Sequence, residues 1–317
     1  MKKFYHICLS AGDEVYCRSK EDYLYCFNCI ALAMAKTESD LMADAEMATH
    51  IHECVRTTDP RSAVKVQRYT YTRYFNSRYH RKGRLGERSP FILELEGLHH
   101  QLAAITYSLR NPLHHGVAAS PFGYPFSSIN VLFREDLHCV DSSPLLKHSA
   151  YYKHLPQHVK CPPGYSMNSS GLILRENVID VTSVEHMFGT PRAFLYYMNR
   201  LSGEEWQKEQ EKDKNGKQPI TLDLIEHGVA HQSMTELLSH EHGRSDYRAK
   251  SDLWLCEKID NELVPSFGAT SVYTMPLSDK NKVANMLYDE LRIPEKQIVR
   301  CMAMNYSHTS SDFCHED

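Results

Sequence analysis

The sequence predicts an α+β fold. Strand-like alternation and helix-like periodicity take turns over the first 130 residues, glycine and proline turns separate them, and the runs are short enough to pair into one sheet under helices. "FYHICLSA" at 4–11 alternates Tyr5, Ile7 and Leu9, the period of a strand. "EDYLYCFNCIALAMAKT" at 21–37 keeps a helical spacing of apolar residues, and "DLMADAEM" and "HIHECVRT" return to strand length. "DPRSAVKVQRYTYTRYFNSRY" at 59–79 reads as a helix opened by Asp59 and Pro60, because proline suits a first helical turn. A glycine turn, "HRKGRLGER", leads to the strand "PFILELEG". "LHHQLAAITYSLRNP" is helical until Pro112, which disfavours helical geometry at the residue before it. These elements predict a small sandwich with one helical layer.

Past "PFGYPFSS" at 121–128 the period fades, and the stretch to about residue 170 yields no element. "SVEHMFGTPRAFLYYMNRL" predicts two helical pieces broken at Gly189 to Pro191, and the charged run at 204–219 predicts a solvated helix end or hinge. "LSDKNKVANMLYDELRIPEKQIVRCMAM" predicts two helices, the first capped by Ser278 with Val283, Leu287 and Leu291 on one face, the second carrying Ile298 and Cys301 inward. Their tight turn fits a helix-turn-helix near 278–304 that presents Lys296, Gln297 and Arg300 outward to DNA, and it fits an ordinary helical hairpin as well. The expected division is therefore an α+β domain at 1–130, a connecting region at 131–220, a helical DNA-binding region at 221–305 and a disordered tail at 306–317.

A formal net charge of -4 in 317 residues excludes a global polycation, so nucleic-acid binding has to come from local patches. No apolar run reaches the length of a signal peptide core or a membrane span. Ten irregularly spaced cysteines suit reduced thiols better than a disulfide framework, and Cys26 and Cys29 lack a second pair at zinc-finger spacing. A cytoplasmic, nucleoid-associated protein is the expectation.

On a strand, His50 and His52 project to one face while Ile51 and Val55 project to the other, so two imidazoles can approach one ion. Tyr107 and Asn111 stand four apart, one helical turn from each other. From these residues alone, two core histidines, a satisfied tyrosine and a helix-ending asparagine are the better reading.

Taken together, "MATHIHECV", "YFNSRYHRKGRLGER", "YSLRNPLHHG" and "FGYPFSS" resemble, in order and spacing, the single-tyrosine HUH transposases of the REP-associated kind. The resemblance covers about residues 1–130 and implies that this part is the catalytic domain, built on a ferredoxin-like antiparallel sheet. It implies His50, His52 and Asn111 as ligands of a divalent ion, Mg2+ or Mn2+, and Tyr107 as the nucleophile of a strand transfer through a 5′-phosphotyrosine. Thr49, Glu53, His114, His115 and Phe126 depart from the family's pattern. The implied partner is single-stranded or hairpin DNA, met by a monomer or a homodimer. Arg78, Arg81, Lys82, Arg84 and Arg88 belong to the densest basic stretch and are the expected DNA contacts, while the helix aromatics are expected in the core. Two rivals stand beside this reading: a domesticated DNA-binding regulator that no longer cleaves, and a metal-dependent nuclease that uses water.

Overall fold

The structure is a computed structural model that describes residues 1–137, 143–199 and 250–304. Its N-terminal elements run β1 (Lys3–Ser10), α1 (Lys20–Lys36), β2 (Asp40–Glu46), β3 (His50–Thr57), α2 (Pro60–Tyr79), β4 (Phe91–Leu95) and α3 (Leu98–His114). The four strands form one sheet in the order β2-β3-β1-β4, antiparallel at every pairing, and the first six elements follow the β-α-β-β-α-β order of ferredoxin-like folds.

Local chemistry sets the helix starts. Ser19 and Asp22 form a reciprocal capping box on α1, and the Asp59 side chain accepts from the Ser62 amide ahead of Pro60 on α2. α2 ends where His80 takes a left-handed conformation, φ 54°. Gly86 has φ +77°, and a Cβ there would lie 2.6 Å from the Ser10 carbonyl oxygen, so glycine alone lets this loop lie against the end of β1.

Helices cover both faces of the sheet, not one. On β3, Glu53 faces α2, where Gln67 Nε2 donates to it at 2.5 Å. Cys54 faces α3 instead, its Sγ 3.6 Å from Ser108 Oγ. The second layer arises because β3 is buried on both sides and its polar and apolar positions each have a helix to meet. α3 also runs through Pro112 to His114. A proline inside a helix leaves the carbonyl four residues before it, here that of Ser108, without its usual donor, and only one further pair of residues, Leu113 and His114, continues the helix beyond it.

The region where the sequence predicts no element is held by long-range bonds. The Asn28 side chain, from the middle of α1, donates to the Gly171 carbonyl at 2.8 Å and accepts from the Ile173 amide at 2.8 Å. Arg175 pairs with the buried Asp44 and Glu46 of β2. The Phe126–Ser128 and Ile179–Asp180 segments bridge the outer edge of β2, which closes that edge to other strands. α4 (Val181–Phe188) and α5 (Pro191–Asn199) follow, separated at Gly189 to Thr190, and one core runs from Phe4 to Met198.

A second core gathers α6 (Asp252–Lys258), α7 (Leu277–Leu291), α8 (Glu295–Cys301) and Val15 from the β1–α1 loop. It is docked by Arg18, wholly buried, whose guanidinium pairs with Asp260 at 2.7 Å and donates to the Cys301 carbonyl at 2.8 Å. Two expectations for this part are corrected. α7 is preceded by Pro276 with no side-chain cap, so Ser278 lies inside the helix. On α8, Gln297 and Arg300 point inward: Gln297 Nε2 donates to Asp252 Oδ1 at 2.8 Å, and Arg300 grips the same carboxylate at 2.8 and 2.9 Å. A seven-residue helix packed on several sides buries its polar positions as well, and a carboxylate 45 residues upstream is what they meet. Lys296 remains half-buried. The expected hinge at 204–220 and tail at 306–317 lie outside the described residues. No helix among the described residues is long and apolar enough to cross a membrane.

Candidate functional site

β3 and α3 bring the four singled-out side chains to one face of the sheet. His50 Nε2 and Asn111 Oδ1 are 2.8 Å apart, and Thr49 Oγ1 lies 3.0 Å from His50 Nδ1. The His52 ring meets His50 edge-on at 5.0 Å between centroids and meets Tyr107 edge-on at 5.2 Å. Small residues at Ala43 and Ala45 on β2, wholly buried, let α3 approach the sheet closely enough for this.

Three further histidines surround the set. His6 on β1 places Nε2 3.1 Å from His52 Nδ1, which fixes the ring and leaves His52 Nε2 buried with no hydrogen-bond partner among the described residues. His114 stacks on Tyr107 at 5.8 Å, and His115 meets His50 at 5.0 Å. Burial holds His6 down to about 3 and His50 and His114 down to about 4; it takes His52 and His115 well below the usual imidazole range. All five rings are therefore neutral near pH 7, with lone pairs available as ligands or acceptors.

The second core reaches the same place. The Asp252 carboxylate acts on His50, and the Arg300 guanidinium paired with it acts on His115. Sequence reasoning missed His6 and Asp252. His6 had a readable signal, since Tyr5, Ile7 and Leu9 assign His6 to the opposite face of β1; Asp252 had none.

A divalent ion can be tested against this donor set. Two ligand atoms about 2.1 Å from an octahedral ion and cis to each other lie about 3 Å apart, and His50 Nε2 and Asn111 Oδ1 are separated by 2.8 Å. With the unpartnered His52 Nε2 as a third donor, two imidazoles and an amide oxygen fit Mg2+ or Mn2+ with positions left for phosphate oxygens. Among the described residues no group of three or more His, Cys, Asp or Glu is arranged to hold an ion, so the amide is needed to complete the set. The site is also closed: Tyr107 is 5% exposed, His50 2%, and His52 and Asn111 not at all.

The expected DNA-contacting arginines divide. Arg81 is folded into its own loop, paired with Glu14 at 2.6 Å and donating to the carbonyls of Gly83 and Arg84, because its side chain organises the turn after α2. Arg78 lies between Tyr74 Oη, 3.0 Å away, and the buried Asp22. Lys82, Arg84 and Arg88 are exposed.

No family model matches the chain, and no curated protein matches it. Among solved structures, that of a REP-associated tyrosine transposase bound to a REP hairpin is similar with a TM-score of 0.38 and 14% identity, over 43% of this chain and 83% of that one.

Proposed function

We propose that the protein cuts and rejoins single-stranded DNA by transesterification, with Tyr107 as nucleophile and His50, His52 and Asn111 as ligands of Mg2+ or Mn2+. The observation that carries this reading is the convergence of four side chains from β3 and α3, with His50 Nε2 and Asn111 Oδ1 at a cis-ligand separation of 2.8 Å and His52 Nε2 unpartnered beside them. A divalent ion bound there would polarise a phosphate oxygen and orient the scissile bond. His6 holds the His52 ring so that Nε2 faces the site, and Thr49 does the same for His50 through Nδ1. Tyr107 would attack phosphorus, keep the 5′-phosphate as an ester and free a 3′-hydroxyl; attack by another 3′-hydroxyl would rejoin the strand without a nucleotide cofactor. His114, neutral and stacked on Tyr107, is the nearest ring outside the proposed ligand set to share in moving the phenol's proton.

One observation favours a second reading. Four side chains exposed by 5% or less suit a DNA-binding protein that keeps the constellation as core. One experiment separates the readings: labelled single-stranded oligonucleotide with Mn2+, run on a denaturing gel. The expected result is a covalent adduct with wild-type protein and none with Tyr107→Phe. Cleavage without an adduct identifies a hydrolytic nuclease, and neither cleavage nor adduct identifies the non-cleaving protein.

A further inference from the structure

On the opposite face of the sheet, α2 carries a stripe that neither the core nor the candidate site uses. Arg61, Lys65, Tyr69 and Arg73 follow one another at intervals of four, so they form a single ridge with about 6 Å of axial rise between neighbours. All four are exposed, Tyr69 by 65%. The sequence assigns the aromatics of α2 to the core, and Tyr71, Phe75 and Tyr79 are buried there. Tyr69 is not: it presents its ring to solvent, and the Arg73 guanidinium lies 5.6 Å from the ring centre.

The ridge borders a groove of about 500 Å³ with Val64, Thr72 and Pro90 in its lining and Arg84 on the far wall. That wall is built in. Arg68 donates to the carbonyls of Leu85, Glu87 and Arg88, which staples the 84–90 loop alongside α2. No carboxylate among the described residues lines the groove, and Arg61, Lys65, Arg73 and Arg84 make no ion pair with any of them. Four cations with no ion pair among the described residues, around an apolar floor with one solvent-facing aromatic ring, match a ligand with repeated negative charge and flat unpaired rings. An acidic peptide would satisfy the cations and leave Tyr69 and the floor unused.

We infer that the outer face of α2 is a binding site for single-stranded polynucleotide, in which Tyr69 stacks on an unpaired base and Arg61, Lys65, Arg73 and Arg84 contact successive phosphates. The inference rests on charge and ring chemistry, not on the cleavage reading, and it places a strand-holding surface across the sheet from Tyr107. It also moves the main contact surface away from Arg78 and Arg81, which are engaged within the protein.

The test uses the full chain carrying Tyr107→Phe, so that no adduct interferes, and fluorescence anisotropy with a labelled twenty-residue oligo-dT, its RNA counterpart and an abasic strand of equal length. Tyr69→Ala should weaken oligo-dT binding about 5- to 150-fold, the range expected for losing one stacked base, and should leave abasic-strand binding unchanged. Replacing Lys65 and Arg73 with Gln should flatten the slope of log affinity against log salt by about 1.4, from about 0.7 per phosphate contact. All three residues are exposed, and circular dichroism checks the fold. Tighter binding of the RNA strand assigns the source as RNA, and of the DNA strand as DNA. Unchanged oligo-dT affinity in Tyr69→Ala, or an unchanged salt slope in the double variant, overturns the site. An adduct with wild-type protein together with unaltered binding in these variants sinks the groove and keeps the cleavage reading; lost binding with no adduct does the reverse.

Discussion

Arg175→Leu should destabilise the protein more than its distance from the candidate site suggests. The guanidinium lies 4.0 Å from the centre of the Phe27 ring and pairs with Asp44 and Glu46, both wholly buried. Leucine keeps apolar contact with Phe27 and leaves two carboxylates without a cation, a situation that costs about 3–5 kcal/mol when one partner of a buried pair is removed. Burial already raises the Glu46 carboxyl well above the ordinary range, Asp44 raises it further, and Arg175 opposes both. Removing Arg175 raises it again. A carboxyl raised in the folded state contributes stability that is complete below its unfolded value and is lost as pH rises through the folded one. The deficit of the variant should therefore be larger at pH 8 than at pH 5. Urea unfolding followed by circular dichroism at both pH values is the assay, and the midpoint at pH 8 should fall by about 1–2 M. Adding Glu46→Gln to Arg175→Leu should recover part of the loss at pH 8. A variant within about 0.5 M of wild type at pH 8, or one equally damaged at both pH values, would show that the arginine is replaceable packing and refute the reasoning.

Two further outcomes test the sheet around the site. Glu53 is wholly buried, its carboxyl is raised to about 8 by burial, and Gln67 gives it one donor. By the same sign, its share of stability is complete below about pH 4.5 and declines up to about pH 8, so Glu53→Gln should raise the melting temperature at pH 8 and leave it unchanged at pH 4.5; equal shifts at both would contradict this. His6→Phe keeps a ring beside Phe91 and removes the bond to His52 Nδ1. It should weaken Mn2+ binding about 10- to 100-fold by calorimetry, with Tyr107→Phe as the unaffected control; unchanged affinity would mean that packing alone orients His52.

Much of the fold was legible because it is local. Alternation in β1 and β3, the Asp59–Pro60 start of α2 and the break at Gly189 all act within a few residues, and β1 to β4 and α1 to α3 begin close to where the pattern places them. The 143–173 stretch was not legible because its order comes from elsewhere: Asn28 holds His154, Gly171 and Ile173 from more than 120 residues away. α8 shows the same divide within one helix. Its apolar spacing gave the helix and buried Ile298 and Cys301, while the direction of Gln297 and Arg300 depended on Asp252, which no spacing near them announces. Around the candidate site, the alternation that assigns His50 and His52 to one face is readable, and so is the turn from Tyr107 to Asn111. What brings β3 to α3 is the two-sided burial of the sheet, and His6 enters only through the β1–β3 pairing in which it sits opposite Cys54.

The burial of Tyr107 bears directly on the rate at which an adduct can form. A phosphodiester has to touch the phenol oxygen and reach the ligand cluster, and neither contact is open when the four side chains are exposed by 5% or less. Cleavage therefore requires a minor, open population, and the observed rate is the chemical rate multiplied by that fraction. Each 1.4 kcal/mol of opening cost lowers it about tenfold, so a cost of about 3 kcal/mol leaves roughly one molecule in a hundred competent. A strand already held on the α2 face gains no access by binding alone, because that face is across the sheet from Tyr107; it contributes by raising the local concentration of DNA for the moments when the site is open. Slow adduct formation at a rate that saturates with oligonucleotide concentration is thus what the cleavage reading expects of this fold, and an adduct formed within the mixing time would mean that Tyr107 is not enclosed in solution.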